Sequence, residues 1–281
     1  MKLRPSDIDP TIDAALKEDI PSGDLTSECL LSAASRSRAV FLAKEAGVLA
    51  GIDVARRVFE RIDPGVRFFV LFRDGRAFEA GDILGEVRGP SISLLKGERT
   101  ALNFLQRMSG IATRTRRFVE AVAGTGARIL DTRKTTPTLR RFEKYAVGMG
   151  GGENHRSNLS EMVLIKDNHL TLVGGISEAV QRARKRVGRQ GMIEVEVGDF
   201  EAAREAVASG ADRIMLDNMP LNRMKPVVRW LKGRVPVEVS GKVDLERVRR
   251  IAELGVEYIS VGSLTHSFRS VDISLEFKEG R

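Results

Sequence analysis

A single cysteine, Cys29, occurs in 281 residues. No disulfide can form within the chain, and no thiolate cluster can hold zinc. A lone thiol of this kind is expected to be a small buried hydrophobe. Aromatic residues make up 5% of the chain and do not interleave with its basic runs, so stacking platforms for bases are missing and nucleic acid is not the expected partner. No window holds the roughly 18 apolar residues of a membrane helix. The N-terminus lacks the apolar stretch and small-residue cleavage site of a secretory signal. A cytoplasmic protein with no membrane partner is the expectation. No strand-like segment is followed by GxGxxG or by a P-loop glycine-lysine motif, which weakens a dinucleotide or P-loop reading.

What is present is enough for a full core: 42% hydrophobic and 30% charged residues describe a globular chain. The formal charge of +8 comes from 46 Lys and Arg against 38 Asp and Glu. Two dense basic runs, Ala183 to Gly191 and Leu245 to Glu253, fall on segments with amphipathic helical spacing and read as solvated faces.

Up to about residue 110 the signals alternate without a regular unit: a helix at Thr11 to Asp19, then strands near Arg36 to Lys44, Val66 to Phe72 and Asp82 to Arg88. A long helix follows from Ser91 to Val122, with Leu94, Ala101, Leu105, Met108 and Ile111 near helical spacing. From Ala127 the rhythm becomes strand then helix, through RILD, MVLI, IEVEV, RIMLD, PVEVS and YISVG. That alternation implies parallel pairing, as an open sheet or a barrel. Periodicity alone does not choose between them.

In such architectures function gathers at the C-terminal ends of strands. Here those ends carry Arg133 and Lys134, then Lys166, then Glu196 and Asp217, and finally Ser240, Gly241, Gly262 and Ser263. With His155 and Arg156, the cations suit carboxylates or phosphates. Glu196 and Asp217 suit a hard divalent cation, sugar hydroxyls or a developing positive charge. Glycine turns opening onto helices suit a phosphate. The glycines at 150–152 read as a flexible loop or as a close approach of backbone to ligand.

DTRKTTP followed by LR, GGG followed by NHR, and LIKDNH, with EVEV, MLDN, VSG and ISVGSLTHS after them and GDLTS and GERTALNFLQRMSGIAT upstream, resemble the quinolinate phosphoribosyltransferases over nearly the whole chain. The resemblance implies an α/β protein: an N-terminal open α/β sandwich (residues 1–110, joined by the C-terminal segment 268–281) and an incomplete six- or seven-stranded parallel α/β barrel (111–267). It implies transfer from 5-phosphoribosyl-1-pyrophosphate to quinolinate with Mg²⁺, giving nicotinate mononucleotide, pyrophosphate and CO₂. It assigns the two substrates to Arg133, His155, Arg156 and Lys166, with Lys134 in the same basic set. Glu196 and Asp217 go to the ribose and metal, and Ser240, Gly241, Gly262 and Ser263 to the 5′-phosphate, with His266 close by. Arg99 matches an arginine inserted from a neighbouring subunit, so a homodimer or higher homo-oligomer is implied.

A related group associated with molybdenum transport shares the DTRK and glycine features, but LIKDNH favours quinolinate chemistry. One departure is Thr138, where the family pattern leads one to expect glycine; as a helix start after Pro137, threonine is acceptable.

Overall fold

The computed structural model describes residues 2–278. In chain order the elements are α1 (Pro5–Asp19), α2 (Leu25–Leu30), β1 (Arg36–Ala43), β2 (Gly47–Val48), α3 (Ile52–Ile62), β3 (Arg67–Val70), β4 (Ala77–Phe78), β5 (Ile83–Pro90), α4 (Ser91–Ala121), β6 (Arg128–Leu130), α5 (Arg140–Met149) and β7 (Val163–Ile165). There follow α6 (Asp167–Val173), α7 (Ile176–Val187), β8 (Ile193–Val197), α8 (Phe200–Ala208), β9 (Arg213–Asp217), α9 (Leu221–Leu231), β10 (Val237–Ser240), α10 (Leu245–Ala252), β11 (Tyr258–Ser260), α11 (Ser263–His266) and β12 (Ile273–Lys278). Two units result. The first comprises Met1–Arg116, Thr135–Gly151 and Leu264–Arg281; the second comprises Arg117–Lys134 and Gly152–Ser263. The last three residues of the C-terminal segment expected at 268–281 lie outside the described residues.

The first unit is built on an antiparallel sheet of order β12-β1-β5-β3, with β2 and β4 paired separately. Phe41 of β1, Phe59 of α3 and Phe68 of β3 meet with ring centroids 5.4 to 6.2 Å apart, so one aromatic cluster joins sheet to helix. Helix α1 begins six residues before the expected Thr11 and runs through Pro10. A mid-helix proline forfeits a backbone hydrogen bond. Burial of Ile8 and Ile12 offsets that loss, as do two forked pairings onto α3. Arg57 grips Asp9 at 2.7 and 2.9 Å, and Arg61 grips Asp13 at 2.7 and 2.8 Å. Tertiary contacts therefore override the local breaker.

Three readings are corrected in this unit. Cys29 is exposed on α2, not buried; a short helix with Leu25 and Leu30 also exposed has no apolar face to bury it. Thr138 does not start a helix: α5 begins at Arg140, and Thr138 stands before it with φ 69°, a left-handed conformation that crowds a β-branched side chain. Gly150 serves packing. A Cβ there would lie 2.5 Å from Ala112 O and from Thr115 Cβ on α4, so this glycine answers helix packing within the unit.

The second unit is a six-stranded sheet of order β6-β11-β10-β9-β8-β7, with parallel pairing throughout. Each strand from β7 to β11 neighbours the next in sequence, and β11 neighbours β6. That is the order of a barrel with the seam between β6 and β7 left open. A single parallel bridge between Leu130 and Glu153 partly covers the free edge of β6, with Asp131 N–H donating to Glu153 O at 3.1 Å and Glu153 N–H to Ile129 O at 2.8 Å. Alternation then divides the side chains. Ile193, Val195, Val197, Ile214, Leu216, Val237, Val239 and Ile259 are buried apolar residues. The alternate positions Glu194, Glu196, Arg213, Asp217, Glu238, Ser240, Tyr258 and Ser260 project to the other face. Among the described residues no helix is long and apolar enough to cross a membrane.

Candidate active site

The polar face of this sheet opens at its C-terminal edge into a cavity of about 490 Å³. Thr132, Arg133 and Lys134 follow β6; Lys166 follows β7; Glu196, Asp217, Asn218, Ser240, Gly241 and Lys242 stand at or after the ends of β8, β9 and β10, and His155 and Arg156 complete the wall. Nine residues singled out in the sequence thus share one space: Arg133, Lys134, His155, Arg156, Lys166, Glu196, Asp217, Ser240 and Gly241. Gly262 and Ser263 follow β11 at the same end of the sheet but are not part of the cavity lining. Arg99 is exposed on α4 and His266 exposed on α11, both in the first unit.

The cations are held under electrostatic tension. Burial and then the neighbouring Arg133 charge, only partly opposed by Glu194, leave Arg156 below the usual guanidinium range. Its Nη1 donates to Met162 O at 3.1 Å, while its buried Nε finds no acceptor among the described residues. Both guanidiniums line the cavity, where such groups suit carboxylates or phosphates. Lys166 Nζ reaches Glu196 Oε2 at 2.6 Å, and Lys134 N–H donates to Thr132 Oγ1 at 3.0 Å, tightening the turn after β6.

Beneath this rim Asp131, fully buried, organises the segment opposite. Its Oδ1 accepts His155 N–H at 2.9 Å, and its Oδ2 accepts Asn154 Nδ2–H at 2.6 Å. His155 Nδ1 in turn accepts Arg156 N–H at 2.8 Å, and its Nε2 faces Glu194 Oε2 at 3.0 Å. The imidazole is therefore turned inward and supports Arg156 through the backbone.

The turns after β9 and β10 are strained. Asn218 and Lys242 have φ 50° and 49°, and Gly241 has φ 92°. A Cβ on Gly241 would lie 2.3 Å from Asn218 Oδ1, so only glycine lets the two turns approach. Strain of this kind collects at ligand-binding loops.

Sequence reasoning passed over Asp131, Glu194 and Glu238. The period-2 spacing of Glu194 to Glu196 and of Glu238 to Ser240 was the available signal, since residues two apart on a strand share a face.

Comparison with known proteins agrees with this geometry. Residues 24–109 match the N-terminal domain of quinolinate phosphoribosyl transferase, and residues 111–276 match its C-terminal domain. A probable nicotinate-nucleotide pyrophosphorylase (carboxylating) of Bacillus subtilis is 43% identical over 92% of this chain and 89% of its own. A mitochondrial quinolinate phosphoribosyltransferase (decarboxylating) of Nicotiana tabacum is 40% identical over 96% of this chain and 82% of its own. The crystal structure of NadC from Streptococcus pyogenes superposes with a TM-score of 0.95 at 44% identity, over 99% of this chain and 100% of that one. With both domain models matched and such identities over nearly the full length, the chain belongs to the quinolinate phosphoribosyl transferase family.

Proposed function

We infer that this protein transfers the 5-phosphoribosyl group of 5-phosphoribosyl-1-pyrophosphate to quinolinate with loss of CO₂, forming nicotinate mononucleotide and pyrophosphate for NAD synthesis. Beside family membership, the observation that carries this reading is the single cavity in which Arg133, Lys134, Arg156 and Lys166 face Glu196 and Asp217. Two polyanionic substrates need such cations, and a sugar cation forming between them needs the carboxylates.

The ring nitrogen of quinolinate attacks the anomeric carbon as pyrophosphate leaves. Positive charge grows on the ribose, toward Glu196 and Asp217, and negative charge grows on the leaving group, toward Lys134, Lys166 and the arginines. Arg133 and Arg156, with His155 beneath, take the two ring carboxylates. Ser240, Gly241, Gly262 and Ser263 take the 5′-phosphate through backbone N–H groups and hydroxyls. Ribosylation makes the ring a pyridinium cation, which stabilises the electron pair left when the adjacent carboxylate departs. The work of the protein is then positioning and exclusion of water.

Mg²⁺ fits this donor set. Hard divalent ions take oxygen ligands, and Mg²⁺ is typically held by one or two carboxylates together with substrate phosphates. Glu196 and Asp217, at neighbouring strand ends, would hold it. When bound it neutralises charge on the leaving pyrophosphate.

Exposed Arg99 completes the neighbouring subunit's site in this reading, so the working unit is a homodimer or higher homo-oligomer, and the protein works in the cytoplasm. Titration calorimetry tests the ring-carboxylate assignment. Quinolinate should bind at least about tenfold tighter than nicotinate, and Arg156→Ala should erase most of the difference, since a charge-assisted hydrogen bond contributes roughly 1.5–3 kcal/mol. Equal affinity for the two acids in the wild type contradicts it.

A further inference from the structure

The turn after β10 carries a lysine where glycine would be unstrained. Lys242 follows Ser240 and Gly241 and has φ 49°, a left-handed conformation that an L side chain disfavours and glycine accepts freely. Its backbone has a structural task. Lys242 O accepts Arg247 Nη1–H at 2.9 Å, while Asp244 Oδ1, at the N-cap of α10, accepts Arg247 N–H at 2.8 Å. A glycine at 242 would offer the same carbonyl. Lys242 is exposed, so burial of its stem does not offset the strain. Among the described residues it forms no ion pair, unlike Lys166, which reaches Glu196 at 2.6 Å. The fold uses the backbone of this residue and leaves its ammonium group unused, yet Lys242 lines the active-site cavity.

Its position sets it apart from the other lysines of that cavity. Lys134 follows β6 and Lys166 follows β7, the strands flanking the open seam, whereas β10 has β11 between it and β6, and β9 and β8 between it and β7. Its neighbours in the wall are neutral. Ser240, Gly241, Gly262 and Ser263, assigned above to the 5′-phosphate, offer hydroxyls and backbone N–H groups but no charge. A phosphate monoester carries about −1.5 to −2 at neutral pH, and a charge-assisted hydrogen bond to it is roughly twice as strong as a neutral one. Lysine meets such a group as a point charge on a flexible stem. The base of that stem is fixed, because Asn218 N–H donates to Ser240 O at 3.0 Å and the two turns close against each other where Gly241 lacks a Cβ.

We propose that Lys242 supplies the cation for the 5′-phosphate and makes the site select phosphorylated ribosides over their dephosphorylated counterparts. Backbone N–H groups and hydroxyls of the surrounding turns orient the phosphate, and the Lys242 ammonium balances its charge. The 5′-phosphate is common to the donor and the product mononucleotide, so Lys242 acts on both. Quinolinate, which has no phosphate, is outside its reach. The proposal rests on the substrate reading above.

The test uses the full-length protein and three variants: Lys242→Met, which keeps the stem without its charge, Lys242→Gly, which also removes the strain, and Lys242→Arg, which keeps the charge. Calorimetry measures nicotinate mononucleotide, its dephosphorylated nucleoside and quinolinate. The wild type should prefer the mononucleotide, and Lys242→Met and Lys242→Gly should each shrink that preference by about tenfold or more, the loss expected for one charge-assisted hydrogen bond. Lys242→Arg should keep it within about threefold. Quinolinate affinity should stay within about twofold throughout, since its groups bind elsewhere in the cavity. In turnover the loss should fall on KM for 5-phosphoribosyl-1-pyrophosphate more than on kcat, because the phosphate is held alike before and during the chemical step. Lys242→Gly should raise Tm by about 1–4 °C as the strain is relieved, a sign opposite to its effect on binding. A preference unchanged within about twofold in Lys242→Met overturns the proposal. So does a lower Tm in Lys242→Gly, which would assign the side chain to the fold. A wild type that binds neither nicotinate mononucleotide nor quinolinate refutes the underlying reading, whereas the other two results overturn the role of Lys242 alone.

Discussion

Lys166 Nζ donates to Glu196 Oε2 across 2.6 Å, tying the end of β7 to the end of β8 at the cavity wall. The lysine side chain is 43% exposed, so the pair adds little to stability and its value lies in the site. Lys166→Ala should reduce kcat/KM by roughly 100- to 1000-fold, the range for removing one preorganised charge. Its unfolding free energy should stay within about 0.5 kcal/mol of wild type. Steady-state kinetics with a urea melt checks both, and wild-type activity in the variant removes Lys166 from the site.

Gly241 is fixed by geometry and by contact, with φ 92° and a would-be Cβ 2.3 Å from Asn218 Oδ1. Gly241→Ala should raise KM for 5-phosphoribosyl-1-pyrophosphate by about tenfold or more and destabilise the fold by roughly 1–3 kcal/mol. An alanine variant with unchanged KM would show that this turn does not grip the phosphate.

Thr138 sits at φ 69°, where an L residue is strained by roughly 1–2 kcal/mol. Glycine relieves this but gives back up to about 1 kcal/mol in chain entropy. Thr138→Gly should therefore stabilise by about 0.5–1 kcal/mol, read as a rise in Tm. A lower Tm contradicts the strain argument.

Asp74 caps α3 from a distance. Its carboxylate accepts Gly51 N–H at 2.8 Å, Ile52 N–H at 3.1 Å and the Tyr145 hydroxyl at 2.8 Å. Burial, partly countered by these hydrogen bonds, holds its carboxyl above the usual range. Asp74→Ala orphans three donors and should cost about 3 kcal/mol in chemical denaturation. A loss below about 1 kcal/mol would mean that water replaces the carboxylate.

Glu238 gives stability a pH dependence. Its folded value of about 7 stands above the ordinary 4.5, so between these limits the native state binds more protons than the unfolded chain and stability falls as pH rises. The contribution is fully present below 4.5 and is lost as pH rises through about 7. Glutamine does not titrate. From about pH 5 to about pH 8, the unfolding free energy of Glu238→Gln relative to wild type should therefore move in the variant's favour by about 2–3 kcal/mol. A difference that does not change with pH contradicts the assignment.

The rim of the site was legible because strand ends announce themselves: RILD before Arg133 and Lys134, MVLI before Lys166, and RIMLD ending at Asp217 each switch from apolar to polar at the edge of the sheet. The floor was less legible. In IEVEV and PVEVS the carboxylates that alternate with valine look like solvent-facing positions, yet Glu194 and Glu238 are buried because the sheet curls around them. Strand order also lay beyond periodicity, since the β6–β11 pairing that makes the sheet a barrel with one open seam joins residues far apart in sequence. Helix α1 was misjudged at Pro10 because its support comes from Asp9 and Asp13 meeting Arg57 and Arg61. Thr138 kept a conformation that its side chain disfavours, which no local preference foretells.

The most direct test supplies the purified protein with 5-phosphoribosyl-1-pyrophosphate, Mg²⁺ and quinolinate labelled with ¹³C in the carboxylate next to the ring nitrogen, with nicotinate in a parallel reaction. The account predicts equal amounts of labelled CO₂, pyrophosphate and unlabelled nicotinate mononucleotide from quinolinate, and no product from nicotinate. Nicotinate mononucleotide formed from nicotinate but not from quinolinate would contradict it.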